Sequence, residues 1–330
     1  KLRQMVEVVG YLSLLCLFLL VQGFDAFQTP LKLASSACKQ RGRSMRRYFR
    51  LEPEQVNTLQ KGLIEEYKTF FDPMIESMYD KNVEFKDPLN NFRGVDRYRG
   101  NVDLLAGRKG LGPLLFSDAS IIMHSLNLLP EAKLQARWTL QLTAKFLPWK
   151  PRLRFTGISI YQVNFDGKIT SQEDFWDSVN LVNGRYQQMG FLDAVKDFVD
   201  QLVPKAVADL SAPEFPFELL RRAKTYQIRR YPRHLAAATL YTGGRNEGFE
   251  RLAGYVNGLN AAQEKVGYFA PSIITVPLDN SNNKTMIWPL KYFLPGEDIV
   301  NAFPQPANEV VKIIEIPRKT YAVIRFEDSA

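Results

Sequence analysis

The chain has 330 residues, of which 45% are hydrophobic and 24% charged, and this ordinary globular composition excludes wholesale disorder. The length is typical of two domains. The formal net charge is +8, but residues 1–50 alone carry +7. The rest of the chain is therefore nearly neutral, and we expect no nucleic-acid partner.

The first 50 residues are predicted to be a targeting segment. The apolar run VVGYLSLLCLFLLVQGF is short for a membrane span and is followed by small residues, as in a secretory signal. The basic, serine-containing and acid-free stretch after it has the composition of a transit peptide. A signal and a transit segment joined at a phenylalanine resemble the bipartite presequence of algae with complex plastids, which implies import into the plastid. A membrane anchor or plain secretion is the alternative.

The number and positions of the cysteines and histidines argue against several kinds of metal, disulfide and nucleophile site. Cys16 and Cys38 are the only cysteines, and both fall in the targeting segment. The processed protein would then have no disulfide, zinc–thiolate site, iron–sulfur cluster or cysteine nucleophile. His124 and His234 are far apart in the sequence, which argues against a multi-histidine metal site. The glycines of 107–113 predict a flexible turn, because no strand precedes them as in a phosphate-binding loop.

Residues 51–203 are predicted to form one α+β domain. Apolar residues at three- and four-residue spacing predict a helix over 54–79, followed by a strand and turn at 79–88 and a second helix at 92–107. Apolar and polar residues then alternate strictly in LQARWTLQLTAKF at 134–146. This pattern predicts a long strand with one buried face and one wet face.

The chain after this strand completes an antiparallel meander. Two further strands are predicted at 153–164 and 166–178, and a helix at 187–203 closes the domain. The early helices can cover the apolar face of the sheet. The prolines and small residues of VPKAVADLSAPEFP predict a linker, placed at 204–213.

Residues 214–330 are predicted to form a second domain with strands around one amphipathic helix. The predicted helix is 246–260, and the apolar segment KVGYFAPSIITVP follows it at 265–277. The predicted strands are 224–232, 234–242, 309–317 and 320–326.

The order of motifs in this domain resembles the SOUL haem-binding protein family. The motifs are YQIRRYP, GFERLAGYVNGLN, KVGYFAP, the stretch from LKYFLPGED to EVVKIIEIP, and YAVIRF. The resemblance runs from about 214 to 326 and implies a distorted β-barrel with a flanking helix, in which 265–277 forms a core strand. The family continues with a second helix and closing strands, so we expect this domain to be incomplete at its C-terminus.

The first domain resembles the plant and algal domain of unknown function that precedes SOUL domains in some plastid proteins. The resemblance rests on YDKNVEFKDP, LPWKPRLRFTGISIY and DFWDS. It implies a nuclear-transport-factor-2-like fold, in which a curved antiparallel sheet wraps over helices into a cone.

The SOUL resemblance implies non-covalent, reversible binding of haem or another tetrapyrrole. It places an apolar wall on the helix and flat aromatic faces on the segment after it, although both sets could instead fill the core. The expected contacts with the macrocycle are Phe249, Leu252, Ala253, Val256, Tyr268 and Phe269. The expected partners of the propionates are Arg251 and Arg229 or Arg230.

The chain departs from the family at the position of the axial iron ligand. Members that use a histidine carry it just before the tyrosine of the first strand, where this chain has Arg230. His234 lies four residues further on and could ligate the iron or could be a surface residue. We therefore expect hydrophobic binding without strong axial coordination, and no enzymatic activity from this domain.

An acid–base enzyme in the first domain is the alternative function. Polar residues fall on both faces of the strand SQEDFWDS, so some of its carboxylates could face an apolar cavity that raises their pKa. The candidates are Glu173, Asp174, Asp177, Glu84, Asp87 and His124, unless they form salt bridges or an exposed edge. A third hypothesis is a module that associates with thylakoid or plastoglobule surfaces.

Overall fold

A computed structural model describes residues 51–203, 212–277, 283–292 and 303–324. The predicted targeting segment and most of the predicted linker lie outside the described residues. The contacts between residues divide the chain into two compact units. The first comprises 51–203 with Leu220–Gln227, and the second comprises the remaining described residues. The domain boundaries given above stay a prediction. No helix in the described ranges is long and apolar enough to cross a membrane.

The first helix, α1, spans Pro53–Thr69. The side chain of Gln55 accepts a hydrogen bond from the Glu52 amide, so the helix begins with a satisfied donor. The prediction of a helix to residue 79 is wrong by ten residues. Phe70 and Phe71 have φ values of 54° and 59°, which end the helix and direct Phe71 into the core.

The other predicted helices of the first unit are confirmed with shorter ends. They are α2 at Val95–Leu105 and α5 at Phe191–Leu202. Two short helices that were not predicted are α3 at Gly112–Leu115 and α4 at Asp177–Asn180. A 3₁₀ turn at Glu76–Met78 leads into the first strand.

The described residues of the first unit form a six-stranded sheet in the order β2–β1–β6–β5–β4–β3. Its strands are β1 Tyr79–Lys86, β2 Asn91–Arg93, β3 Phe116–Leu129, β4 Lys133–Ala144, β5 Arg152–Val163 and β6 Ile169–Trp176. The meander predicted for 134–178 is confirmed, because β4, β5 and β6 pair antiparallel in sequence order. Strand β3 was not predicted. The sheet is also not wholly antiparallel, because β1 and β6 run parallel.

The alternation in β4 produces the buried face that it predicted. Leu134, Ala136 and Trp138 are buried, and the polar residues between them are partly exposed. These side chains pack with residues of α1 and α5 in a single core. The helices therefore cover the apolar face of the sheet, and the α+β prediction is confirmed. A two-stranded sheet of β7 (Leu181–Val182) and β8 (Arg185–Tyr186) follows α4.

The described strands from Glu218 onward form two sheets, and one helix packs against the larger of them. The helix, α6, spans Arg245–Val256. One sheet has the order β12–β13–β11–β14 and the other has the order β15–β10–β9. Their strands are β9 Glu218–Arg222, β10 Gln227–Tyr231, β11 His234–Tyr241, β12 Ile273–Thr275, β13 Lys284–Tyr292, β14 Val311–Ile316 and β15 Lys319–Val323.

The prediction that 265–277 forms a core strand is wrong for most of that segment. Only Ile273–Thr275 of this segment is a strand, and among the described residues it pairs with β13. The preceding residues make single backbone hydrogen bonds to different parts of the chain, such as the one from the Val266 amide to the Val256 carbonyl. The segment is fixed by side-chain packing and isolated hydrogen bonds instead of by a ladder.

Candidate functional site

An aromatic cluster connects α6 with β13 and the segment after the helix. Trp288 is buried in the middle of the cluster. Tyr268 stacks on Trp288 with the ring centroids 4.6 Å apart, and Phe249 packs edge-on against it at 5.1 Å. Phe249 remains 50% exposed. One flat apolar ring is thus held rigidly at the surface by a buried indole.

The remaining helix residues predicted to line the haem site have different environments. Leu252 and Val256 are buried in the core with Ala237 and Met286 and present no surface to a ligand. Ala253 is partly exposed and lies one turn after Phe249. Of the predicted wall, Phe249 and Ala253 are the members that a ligand can reach.

His234 lies in a second aromatic cluster. Its ring is 4.6 Å from Phe215, which also contacts Phe269 at 5.3 Å. The Nδ1–H of His234 donates to the Pro232 carbonyl at 2.8 Å, and burial lowers the pKa of the imidazole. Its Nε2 has no hydrogen-bond partner among the described residues. A neutral imidazole with a free Nε2 is the form that ligates iron, but this ring is only 3% exposed and packs against Phe215.

The three predicted propionate partners already bind acidic residues. Arg230 pairs with Glu218 at 3.1 Å, and Arg251 pairs with Glu247. Arg229 lies over the Phe217 ring at 4.1 Å and reaches Glu214 at 3.5 Å. A propionate would therefore have to compete with a carboxylate at each position.

The carboxylates of the first unit divide between outward and inward positions. Glu173 forms a salt bridge with Lys86, and Glu84 forms one with Arg93. His124 bonds to Thr139 through Nε2 at 2.8 Å and lies in a separate groove between α1 and β3.

The inward carboxylates are Asp87, Asp174 and Asp177. Asp177 is fully buried in an ion pair with Arg137. Asp87 and Asp174 line an apolar cavity of about 100 Å³. Of the six predicted acid–base residues, the structure brings only these last two together in one cavity. Within the described ranges, no cluster of three or more histidine, aspartate or glutamate side chains could hold a metal.

Two aromatic residues of these clusters were not predicted as part of a site. Phe215 contacts His234 and Phe269, and Trp288 contacts Tyr268 and Phe249. Both come from segments distant in sequence from the residues that they contact, so sequence spacing gives no signal for the pairing.

Solved structures that are similar to the chain have low identity to it. TsrD from Streptomyces laurentii is 18% identical, with 39% of this chain and 92% of that chain covered and a TM-score of 0.30. An NTF2-like protein of unknown function from Exiguobacterium sp. 255-15 is 16% identical, with 35% and 98% covered and a TM-score of 0.28. An LEH-like epoxide hydrolase from M. tuberculosis is 14% identical, with 45% and 92% covered and a TM-score of 0.31.

The family comparisons agree with the motifs. No curated protein matches the chain. Residues 57–172 match the family described as uncharacterized conserved protein DUF2358, and residues 212–330 match the family described as SOUL heme-binding protein. The resemblance recognised in the sequence is confirmed by these matches. The chain therefore carries a match to the DUF2358 family at 57–172, followed by a match to the SOUL heme-binding family at 212–330.

Proposed function

We propose that the SOUL domain binds haem or a related tetrapyrrole reversibly and without a covalent bond, as a carrier and not as an enzyme. The observation that carries this proposal is the match of residues 212–330 to the SOUL heme-binding family. The half-exposed Phe249 ring, held against Trp288, supplies a flat apolar contact of the kind that a porphyrin face requires.

Binding rests on apolar contact and not on an axial histidine. His234 Nε2 is chemically able to ligate iron, but the His234 ring lies buried against Phe215. Ligation would require this aromatic cluster to open. A site without a strong axial bond accepts macrocycles with or without a metal, which suits reversible carriage.

One arginine is the favoured partner for a propionate. Arg251 lies on α6 two residues after Phe249, and its guanidinium donates to the Leu240 carbonyl at 2.6 Å. The Leu240 contact holds the Arg251 guanidinium in a defined position. A propionate would replace Glu247 as the anionic partner of Arg251.

A hemin titration of the full chain tests this function, with absorbance in the Soret region as the measurement. We expect saturable binding that His234→Ala leaves unchanged and Phe249→Ala weakens. Loss of binding in a folded His234→Ala protein would overturn binding without a histidine ligand. Absence of saturable binding in the wild-type protein would overturn the tetrapyrrole function itself.

The composition of residues 1–50 supports a plastid location for this carrier. A fluorescent-protein fusion to that segment, expressed in an alga with complex plastids, should accumulate in the plastid. Secretion of the fusion would contradict the location.

A thylakoid or plastoglobule surface is the proposed site of membrane association within the plastid, and co-sedimentation of the chain with isolated thylakoids tests it.

A further inference from the structure

The cavity in the first unit combines apolar walls with two carboxylates. Its volume of about 100 Å³ is somewhat smaller than that of a cavity that admits benzene. Asp87 and Asp174 are the charged groups among the described residues that line it. The aromatic residues that line it are Phe85, Phe116, Trp138, Phe155, Trp176 and Phe198.

Strand pairing explains why the two carboxylates meet. Lys86 on β1 and Glu173 on β6 are register partners on parallel strands, and their side chains form a salt bridge of 3.2 Å on the outer face. Because successive side chains of a strand point to opposite faces, Asp87 and Asp174 turn inward together. The pairing of β1 with β6, and not a local sequence motif, brings Asp87 and Asp174 together.

The two carboxylates are held differently. Asp87 Oδ1 accepts hydrogen bonds from the amides of Leu89 at 2.7 Å and Asn90 at 2.6 Å, and Oδ2 accepts one from the Asn90 side chain at 3.2 Å. Three N–H donors favour the anion. Asp174 Oδ1 accepts a hydrogen bond from Gln172 Nε2 at 2.9 Å. Asp174 is thus the member of the pair with fewer N–H donors and the one that holds a proton more readily.

Burial and the neighbouring charge set the proton affinities. Burial raises the pKa of Asp87 to about 6. Burial, together with a smaller effect of the negative charge of Asp87, raises the pKa of Asp174 to about 7. A carboxyl group with this pKa exchanges protons near neutral pH, which is what a general acid–base group needs.

A buried hydrogen-bond network fixes Asp174 in place. Tyr98 donates to Gln172 Oε1, and the Trp138 indole donates to Ser159 Oγ at 2.9 Å. Gln172 and Ser159 thereby have fixed orientations beside the carboxyl group. The titratable groups around Asp174 are Asp87 after β1, Tyr67 on α1, Tyr98 on α2, Tyr161 on β5 and, on its own strand, Glu173.

We propose that this cavity is an acid–base site in which Asp174 removes a proton from, and returns one to, a carbon next to the carbonyl of a small, uncharged and largely apolar compound. The aromatic walls select an apolar ligand, and the two aspartates disfavour an anionic one. Asn101 also lines the cavity, and its amide can donate a hydrogen bond to the carbonyl oxygen.

The proposed step needs no co-reactant. The Asp174 carboxylate takes the proton, the electron pair of the broken C–H bond forms a C=C bond, and the carbonyl π pair moves to the oxygen. Return of a proton to the same carbon restores the carbonyl compound, and in D₂O it leaves deuterium on that carbon. Asp87 is a positioning residue in this step, because it acts through the proton affinity of Asp174.

The test is exchange of the α-hydrogens of acetone, a ketone smaller than benzene, in D₂O, measured by ¹H NMR with the full chain. We expect exchange faster than in buffer, with a rate that rises with pH through about 7 as Asp174 ionises. Asp174→Asn should reduce the protein-dependent rate by about 100-fold or more. Asp87→Asn removes the charge that raises the pKa of Asp174, so its pH–rate profile should shift to lower pH.

Glu84→Gln is the matched control, because Glu84 faces outward on β1 in a salt bridge with Arg93, and it should leave both rate and profile unchanged. No exchange above buffer by the wild-type protein, or full exchange by Asp174→Asn, would overturn the proposal. Circular dichroism checks that each variant folds. If Asp174→Asn does not fold, an unshifted profile in Asp87→Asn still decides against the proposal. Hemin binding should be equal in all these proteins, so this test is independent of the tetrapyrrole function.

Discussion

Arg137 on β4 and Asp177 at the start of α4 form an ion pair that is almost completely removed from water. The Asp177 side chain is 0% exposed and the Arg137 side chain 15% exposed. Thr156 and Tyr186 also donate hydrogen bonds to the Asp177 carboxylate. Each oxygen of this carboxylate accepts two hydrogen bonds and Asp177 does not line the cavity, so its role is structural.

Removing one member of this pair should strongly destabilise the first unit. Arg137→Met leaves a buried carboxylate without its cation, and we expect the free energy of unfolding to fall by about 3–5 kcal/mol. Urea denaturation measures the change. Lys196→Met is the matched control, because Lys196 pairs with Asp200 at an exposed position, and it should change stability by less than about 1 kcal/mol. Similar losses in the two variants would contradict the structural role of the buried pair.

The pH dependence of stability should report the protonation of Asp174 and of Asp87, because burial raises the pKa of both carboxyl groups. The carboxyl group of Asp174 has a pKa of about 7 in the folded chain against a usual value of 3.8, so the folded state binds more protons than the unfolded state between these limits. The free energy of unfolding should therefore fall as pH rises from about 4 to about 7, and then level off.

Asp174→Asn tests whether Asp174 is responsible for this pH dependence of stability. The variant should have a smaller pH slope and be more stable than the wild-type protein at pH 8, by about 2–4 kcal/mol at most. Urea denaturation at pH 5 and pH 8, followed by tryptophan fluorescence, gives both values. A slope as steep as that of the wild-type protein would show that another group is responsible.

Gly157 should be sensitive to the addition of a single methyl group. A Cβ at this position in β5 would lie 2.2 Å from the Phe175 carbonyl oxygen and 2.9 Å from the Trp138 ring, so the backbone or the cavity wall must move. We expect Gly157→Ala to destabilise the protein by about 1–3 kcal/mol. Gly100→Ala is the control in the same unit, because a Cβ there meets nothing within 4 Å. It lies inside α2 and should raise stability by about 0.5–1 kcal/mol.

Substitutions at two nearby residues of α6 should distinguish a role in core packing from a role in ligand binding. Leu252 is 0% exposed, so Leu252→Ala should cost about 2–5 kcal/mol of stability. Phe249 is half exposed, so Phe249→Ala should cost less stability and should weaken hemin binding by about tenfold. Thermal unfolding and hemin titration on the same samples measure both effects. Equal hemin affinity in Phe249→Ala and the wild-type protein would remove Phe249 from the binding surface.

Part of the first unit could be predicted because β4 buries mainly one face. The alternation in 134–146 therefore appears directly in the burial of Leu134 and Trp138. Strand β3 lies at an end of the six-stranded sheet, and residues on both of its faces are partly exposed, so its sequence does not alternate. The end of α1 at Thr69 was missed because Phe70 and Phe71 continue the apolar pattern, although Pro73 signals that the helix ends before it.

The site was only partly predictable for a related reason. Asp87 and Asp174 were both candidates, but their proximity depends on the parallel pairing of β1 and β6, which no sequence period indicates. Leu252 and Val256 follow the helical pattern expected of either a haem wall or a core. A periodic pattern shows that a face is apolar and does not show whether a ligand or the protein covers it.

The segment Leu220–Gln227 determines where a fragment that contains the first domain should end. The Arg222 amide donates to Thr156 Oγ1 at 2.7 Å, and the Arg222 guanidinium binds Asp197. Arg137 also donates to the Leu220 carbonyl at 2.7 Å. A fragment expressed to residue 203 would thus lose hydrogen bonds that stabilise its own sheet and terminal helix. A fragment that ends after residue 227 retains them and is the better choice for producing the first domain alone.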